Sequence, residues 1–223
     1  MTTPQVELYD MGRCTHKAVP GMYEFITNNA ERYVTNPQLA QRLKQEAANR
    51  ELPGYSIAQE LFSEMCRIWV EAYQNGHFPI DTPAITFPDT APRFERVKQL
   101  GRKVGVMTSG SLDFVKLLYG AELQGGQKLA GLVDEYFLGE EIGDKDHPET
   151  HAKLWELTER GIYALFDDKM SVCRAADEGL KSAGGRAQIY LVDRKKNQNS
   201  PELLEEITAR GIIKIATFNE VQD

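Results

Sequence analysis

Three features are scarce in this sequence: cysteine, long apolar runs and clustered positive charge. The three cysteines among the 223 residues lie far apart without CxxC spacing, which argues against a disulfide framework and against a zinc site. No apolar run approaches the ~20 residues that span a bilayer, and the start, MTTPQVELYD, lacks the basic and apolar regions of a signal peptide. We therefore expect a cytoplasmic protein without a membrane partner.

The charge balance favours a small-molecule partner. The formal net charge is −7 and there is no run of Lys or Arg, whereas a protein that grips a nucleic-acid backbone needs a basic stripe. We therefore expect no nucleic-acid partner. Cys66 and Cys173 fall in apolar helical patterns typical of buried thiols, whereas Cys14 follows Asp10 closely enough to line a pocket. The sequence leaves the oligomeric state open.

Apolar periodicity predicts a strand, then a helical region, and then a βα alternation. The strand covers 6–9, and the helical region, 21–74, breaks near Asn36-Pro37 and near Pro53-Gly54. The last helix of this region aligns apolar residues on one face, as expected for core packing between helices: Ile57, Leu61, Met65, Ile68 and Trp69. After the proline-rich stretch that follows, strands are predicted at KVGVM, DEYFL, IYALF, AQIYLV and IIKIAT. Helices are predicted to begin near Ser111, Pro148, Ser171 and Pro201, with Ser111 and Ser171 as N-caps.

This order indicates an α/β fold with a doubly wound, Rossmann-like parallel sheet. The first strand has to join that sheet, because a lone strand would leave its backbone groups unpaired. The helical region is then a small cap inserted after the first strand. We predict a core of 1–19 and 86–223 and a helical cap of 20–85. In such a fold the ligand binds beyond the carboxyl ends of the strands, here facing the cap.

Residues with chemically useful side chains or backbone groups follow four of the predicted strands. They are Asp10 after the first strand; Thr108, Ser109 and Gly110 after KVGVM; Lys145 after DEYFL; and Asp167 and Asp168 after IYALF. Singly, such residues commonly cap helices, open turns or face solvent. Together they offer carboxylates for Mg²⁺, a hydroxyl with a helix N-terminus and a cation for phosphate, and an aspartate able to attack phosphorus.

At these residues the chain resembles the haloacid dehalogenase superfamily, and within it the enolase-phosphatase-like branch with a helical cap. The resemblance covers nearly the whole chain: LYD, VMTSGS, GDKDHPETHAKL and ALFDDKMSVCRAADEG are similar to its four motifs in order. It implies an Mg²⁺-dependent hydrolase of a small phosphorylated metabolite.

The roles that the resemblance implies follow residue by residue. Asp10 is the nucleophile, Ser109 is the phosphate-binding hydroxyl beside Thr108 and Gly110, and Lys145 is the cation, with Lys153 as an alternative. The metal is held by Asp10, the carbonyl of Gly12 and Asp168, with Asp167 beside them.

The first motif departs from the family pattern at Gly12. Phosphatases of this superfamily carry an Asp or Glu two residues after the nucleophile, which protonates the leaving oxygen and later activates water. Gly12 cannot do either, and Arg13 follows where Gly is usual. Positioned proton transfer contributes about 10²–10⁴-fold in rate, so we expect weakened turnover. Arg13 either offers a forked contact to a carboxylate or phosphate, or points into solvent.

Other residues in the same loops are candidates to replace the missing acid. They are His16, Cys14, His147 and His151, although a lone histidine is more often structural. Many relatives carry a further acid after the Asp pair, where this chain has neutral or basic residues that include Arg174. Cap aromatics are candidates to line the pocket, although they are more often core residues: Tyr23, Tyr55 and Trp69.

Two functions besides phosphate hydrolysis stay open. A catalytically weakened member that binds a ligand or a partner protein is consistent with Gly12 and Arg13. A metal-independent dehalogenase-type hydrolase, in which Asp10 attacks carbon and Arg13 holds a substrate carboxylate, also needs no second acid. The pair Asp167-Asp168 argues for a metal and therefore against this last function.

Overall fold

The computed structural model describes residues 5–50, 57–123 and 126–223. Six strands lie within these ranges: β1 (Val6–Asp10), β2 (Lys103–Thr108), β3 (Glu135–Leu138), β4 (Ile162–Asp167), β5 (Gln188–Val192) and β6 (Ile213–Ile215). In the described ranges five helices lie between β1 and β2: α1 (Met22–Tyr33), α2 (Pro37–Asn49), α3 (Gln59–Gln74), α4 (Thr82–Ile85) and α5 (Thr90–Gln99), the last of which leads into β2. The others are α6 (Leu112–Gly120), α7 (Gly139–Ile142), α8 (Pro148–Leu157), α9 (Met170–Ser182) and α10 (Pro201–Arg210).

The strands form one parallel sheet in the order β3-β2-β1-β4-β5-β6. The chain runs outward from β1 to β3 on one side, returns to β4 on the other side of β1, and continues to β6. The direction of winding therefore reverses between β1 and β4, and a crevice for ligands opens at such a point, beyond the carboxyl ends of the strands. The predicted α/β fold class is confirmed.

Side chains alternate between the two faces of the sheet along each strand, and all five residues of β1 are buried, so both faces are covered. Val6 and Leu8 pack on the face covered by α8, α9 and α10. Tyr9 packs on the opposite face, where its ring stacks on that of Phe166 with 4.5 Å between the ring centroids. This second hydrophobic cluster also contains buried residues of α1, α2 and α3, so the inserted helices and the sheet share one core. The division into cap and core at 20 and 86 stays a prediction.

Helix starts follow the local chemistry of the sequence. Asn36 caps α2, where its side chain accepts the N–H of Gln38 at 3.0 Å and Pro37 takes the first helical position. Ser111 caps α6 as predicted. The predicted N-cap at Ser171 is wrong: α9 begins at Met170, because the carboxylate of Asp167 accepts the N–H of Lys169 at 2.9 Å and turns the chain earlier.

The inserted helices bury the predicted face of α3, namely Leu61, Met65, Ile68 and Trp69, while Ile57 is half-buried ahead of the helix. The predicted break at Pro53-Gly54 lies outside the described residues.

Cys66 and Cys173 are buried, as expected. No helix in the described ranges combines the length and the apolar character that crossing a membrane requires.

Candidate active site at the carboxyl ends of β1 and β4

Asp10 is the last residue of β1, the strand between β2 and β4, and its side chain is nearly buried. Asp167 ends β4 and is completely buried, and Asp168 follows it. One carboxylate oxygen from each of Asp10, Asp167 and Asp168 lies within 4.8 Å of the other two. The parallel sheet thus brings together three carboxylates that are far apart in sequence, at the point where the winding reverses.

Lys145 lies in the loop between α7 and α8, and its ammonium group is buried among these acids. Its Nζ donates to the carboxylate of Asp10 and, at 3.0 Å, to Oδ2 of Asp167. Burial opposes the charge on Lys145, but the two carboxylates outweigh that effect and raise its pKa well above the ordinary value. The two carboxylates therefore favour the charged form of Lys145.

The acids outnumber the cations in this cluster, and burial together with this excess of negative charge raises the pKa values of two of them. Burial raises the pKa of Asp10 to about 7, a rise that Lys145 limits and the charges of Asp167 and Asp168 reinforce. Burial and the charge of Asp167 raise the pKa of Asp168 to about 6. Three carboxylates facing one buried ammonium leave uncompensated negative charge, and a divalent cation would neutralise it.

Asp167 and Asp168 differ in the freedom of their oxygens. Oδ1 of Asp167 accepts a hydrogen bond from the backbone amide of Lys169, and Oδ2 accepts one from Nζ of Lys145. The side chain of Asp168 is 14% exposed, and its Oδ2 lies 3.8 Å from a guanidinium nitrogen of Arg13. Asp168 therefore faces the open side of the site, whereas Asp167 is a buried anchor.

Gly12 and Arg13 lie in the turn after β1. A Cβ added at Gly12 would lie 3.6 Å from Oδ2 of Asp10 and would meet no other described atom within 4 Å apart from its chain neighbours. Arg13 adopts a left-handed conformation with φ of 61°, which favours glycine, and its half-exposed side chain reaches the acid cluster instead of pointing into solvent. An acidic side chain at position 12 would lie beside Asp10, but this chain has Gly12 there.

The segment after β2 supplies hydroxyl and amide groups. The hydroxyl of Thr108 accepts the N–H of Gly110 at 3.0 Å, which holds the turn before α6. The carbonyl of Ser109 accepts a hydrogen bond from Nε2 of Gln59 at 2.6 Å. This contact of α3 with the turn was not predicted, because the two residues are 50 positions apart and no local pattern links them.

A cavity of about 720 Å³ opens beside these residues. Its lining includes the site residues Asp10, Gly12, Arg13, Thr108, Ser109, Lys145 and Asp168. It also includes Met22, Tyr23, Arg50 and Phe62 from the region between β1 and α4, and Phe114 from α6. Tyr23 therefore lines the cavity. Trp69 is a core residue instead, with its Nε1 donating to the carbonyl of Met22 at 2.8 Å. Tyr55 lies outside the described residues.

The side chains considered as replacement acids do not fill the gap left at Gly12. Cys14 is completely buried and is not among the cavity-lining residues described, so the expectation that it lines the pocket is wrong. His16 borders the cavity, but burial lowers its pKa to about 3 and keeps the ring neutral. The side chain of His147 is 67% exposed. His151 is completely buried and hydrogen bonds the carbonyl of Lys145 at 2.8 Å.

Two other residues discussed from the sequence are occupied elsewhere. Lys153 contacts the carbonyl of Glu141 with its Nζ, so the cation among the acids is Lys145. Arg174 is exposed on α9 and forms an ion pair with Glu206 at 2.6 Å. Neither residue is among those that line the cavity in the described ranges.

No protein-family model matches the chain. It is 30% identical over 118 residues to enolase-phosphatase E1 of Alcanivorax borkumensis, a match that covers 52% of this chain and 49% of that protein. It is 28% identical over 160 residues to enolase-phosphatase E1 of Sordaria macrospora, covering 70% and 62% of the two chains. The chain spans about half the length of the first of these relatives.

Among solved structures, a phosphatase of the haloacid dehalogenase type from Thermococcus onnurineus superposes with a TM-score of 0.60. It is 18% identical, and the match covers 97% of this chain and 95% of that one. The fold and the acids at the strand ends define the class, a Rossmann-like α/β protein with a carboxylate site at the switch point. The sequence matches to enolase-phosphatases and the shared fold both make this chain similar to members of the haloacid dehalogenase superfamily. The resemblance noted from the sequence is confirmed.

Proposed function

We propose that this protein is an Mg²⁺-dependent hydrolase of a small phosphorylated metabolite, with Asp10 as the nucleophile. The observation that carries the proposal is the meeting of Asp10, Asp167 and Asp168 around the buried ammonium of Lys145. Such a cluster combines a nucleophilic carboxylate, oxygen ligands for a hard cation and a fixed positive charge for a phosphoryl group.

The donor set fits Mg²⁺. This ion binds through one or two carboxylates and keeps its remaining sites for water and phosphate oxygens. Asp10 and Asp168 are the carboxylates with a free side, the carbonyl of Gly12 is a third donor, and Asp167 anchors Lys145 beside them. When bound, the ion would screen the charge between the phosphate and these carboxylates.

The first chemical step needs only groups that are present. A carboxylate oxygen of Asp10 attacks phosphorus, the bond from phosphorus to the leaving oxygen breaks, and the pair of electrons stays on that oxygen. Lys145, the hydroxyls of Thr108 and Ser109 and the amides at the start of α6 are the groups proposed to bind the phosphoryl oxygens. The leaving oxygen takes its proton from solvent, because Gly12 offers none.

The second step is the slow one. Water attacks the phosphorus of the aspartyl-phosphate, the bond to Asp10 breaks, phosphate leaves and the carboxylate is restored. An acid at position 12 would accept the proton of that water, and its absence removes a contribution of about 10²–10⁴-fold. We therefore propose an enzyme that forms the intermediate readily and hydrolyses it slowly.

The turn after β1, which contains Gly12 and Arg13, also supports a second function. Gly12 lacks the acid and Arg13 lies against Asp168, so a protein that binds a phosphorylated ligand without turning it over would carry the same residues. The dehalogenase-type reaction has less support, because Arg13 reaches the acid cluster. A cytoplasmic location stays a prediction, which cell fractionation would test.

A panel of phosphomonoesters tests the proposal. Wild-type protein and Asp10→Asn would be compared with Mg²⁺ and with a chelator, and release of inorganic phosphate would be measured. We expect release that requires both Mg²⁺ and Asp10. Ligand binding that persists in Asp10→Asn, with no release by either protein, would favour the binding function. Halide release from a 2-haloacid in the presence of chelator would favour the dehalogenase.

A further inference from the structure

The loop that carries Lys145 is held by two side chains from the first turn of α8. The hydroxyl of Thr150 donates to the carbonyl of Asp144 at 2.6 Å. The ring of His151 hydrogen bonds the next carbonyl along the chain, that of Lys145, at 2.8 Å. Two consecutive residues of the helix thus hold two consecutive carbonyls of the loop, and Thr150 and His151 are both buried.

The chemistry of the acceptor fixes the form of the His151 ring. A carbonyl oxygen only accepts hydrogen bonds, so Nε2 of His151 must carry the proton and donate it. Nδ1 then presents a lone pair, and it is buried without a hydrogen-bond partner among the described residues. An unpaired buried polar atom destabilises a fold. An apolar side chain would avoid this penalty but would take this donor away from the carbonyl of Lys145, so the contact with the loop is what favours a histidine at this position.

The helix that holds the Lys145 loop also packs against the helix that follows the acids. A Cβ added at Gly179 of α9 would come within 2.1 Å of the carbonyl of Pro148, so α9 and the first turn of α8 approach more closely than any other residue permits. Since α9 begins at Met170, two residues after Asp168, this packing fixes the position of the Lys145 loop relative to the acids at the end of β4.

From this geometry we infer that Thr150 and His151 act as a carbonyl clamp that positions Lys145. The clamp holds the backbone of the loop so that Nζ lies between the carboxylates of Asp10 and Asp167. His151 touches neither of these acids through any hydrogen bond described, and it is a positioning residue. The clamp stands on geometry alone, whereas its effect on phosphate binding rests on the proposed function.

The test compares His151→Leu, which removes the donor, with His151→Gln, whose amide restores an N–H donor. His147→Leu is the matched control, because His147 is an exposed histidine of the same loop. Reductive methylation of lysines, followed residue by residue with mass spectrometry, measures how firmly Lys145 is held. The exposed Lys195 serves as the internal reference.

We expect Lys145 to be methylated more slowly than Lys195 in wild-type protein and in the His147→Leu control. In His151→Leu its methylation should accelerate about fivefold or more relative to Lys195, the ratio that matches the net free energy of one hydrogen bond. His151→Gln should return the rate to near the wild-type value. An unchanged rate in His151→Leu would overturn the clamp, whether or not the protein proves to be an enzyme.

Affinity for orthovanadate, measured with Mg²⁺ present, links the clamp to the proposed function. If Lys145 binds the phosphoryl group, His151→Leu should weaken vanadate binding about fivefold, and His151→Gln should restore it. Faster methylation of Lys145 with unchanged vanadate affinity would support the clamp and contradict the role of Lys145 in phosphate binding.

The melting temperature separates positioning from a structural role. His151→Leu loses both the unpaired Nδ1 and the hydrogen bond to the carbonyl of Lys145, so its melting temperature should stay within about 4 °C of the wild-type value while Lys145 becomes more reactive. If His151→Leu does not fold, Thr150→Val is the second variant, because it keeps the shape of the side chain and removes the other donor. A folded Thr150→Val with wild-type methylation of Lys145 would then overturn the inference.

Discussion

Replacing Gly12 by Asp should restore the missing proton transfer. The site has room for this side chain, since its Cβ would lie 3.6 Å from Oδ2 of Asp10 and Gly12 is exposed with φ outside the left-handed region. From that Cβ a carboxylate can face the cavity beside Asp10 without a change of backbone. The expected gain is in the second step, where positioned proton transfer contributes about 10²–10⁴-fold.

The assay is a stopped-flow measurement with an aryl phosphate, whose leaving group needs no proton. Wild-type protein should release a rapid burst of product close to one equivalent of enzyme, followed by slow turnover. Gly12→Asp should accelerate the slow phase by about 10²-fold or more and change the burst little. Saturating Mg²⁺ is needed, because a fourth acid beside Asp10, Asp167 and Asp168 adds to their repulsion.

Gly12→Asn is the matched control, because it has the shape of Asp and cannot accept the proton of water. We expect turnover in this variant to stay at the wild-type level. If Asn accelerates the slow phase as much as Asp does, the effect is one of shape or positioning. The reasoning about the missing acid would then be refuted.

Three further predictions concern the metal, the cation and the fold. Mg²⁺ affinity measured by calorimetry should fall about tenfold or more between about pH 8 and about pH 6, since Asp10 and Asp168, with pKa values of about 7 and 6 in the metal-free site, take up protons as the pH falls. Lys145→Met should weaken vanadate binding about tenfold or more, because a buried anion beside carboxylates then lacks its cation. Arg93→Met should lower the free energy of unfolding in urea by about 3 kcal/mol, because it leaves the buried carboxylate of Glu7 without its closest guanidinium.

Each of these predictions has a control and a contrary outcome. Mg²⁺ binding that does not change with pH would show that neither acid is a ligand. Lys153→Met should leave vanadate binding unchanged, and an equal loss in both lysine variants would move the phosphate site away from Lys145. The double variant Glu7→Gln with Arg93→Met should recover much of the lost stability. If it does not, the loss comes from packing and not from the unpaired charge.

The positions of the main site residues follow from sequence because they depend on a single geometric rule. Asp10 and Asp167 each follow an apolar run, and parallel strands end at one edge of the sheet, so their approach was predictable without coordinates. The same rule placed Thr108 and Ser109 beside them. Lys145 was harder, because it lies in a loop beyond α7, and only the order of the motifs identified it.

The parts that were not predicted depend on which way a side chain faces. His151 was a candidate acid, yet it is buried under the Lys145 loop, where its ring hydrogen bonds the carbonyl of Lys145. Cys14 was expected at the pocket and is enclosed within the core. The contact from Gln59 to Ser109 joins segments that only the tertiary fold brings together. No periodicity in the sequence encodes such contacts.

Trapping the aspartyl-phosphate would show whether Asp10 is a working nucleophile. Wild-type protein would be mixed with Mg²⁺ and an excess of aryl phosphate, quenched in acid during the slow phase, digested and examined by mass spectrometry. We expect a phosphorylated peptide that contains Asp10, at close to one equivalent, and none in Asp10→Asn. Steady release of aryl product by wild-type protein without any phosphorylation of Asp10 would contradict this expectation.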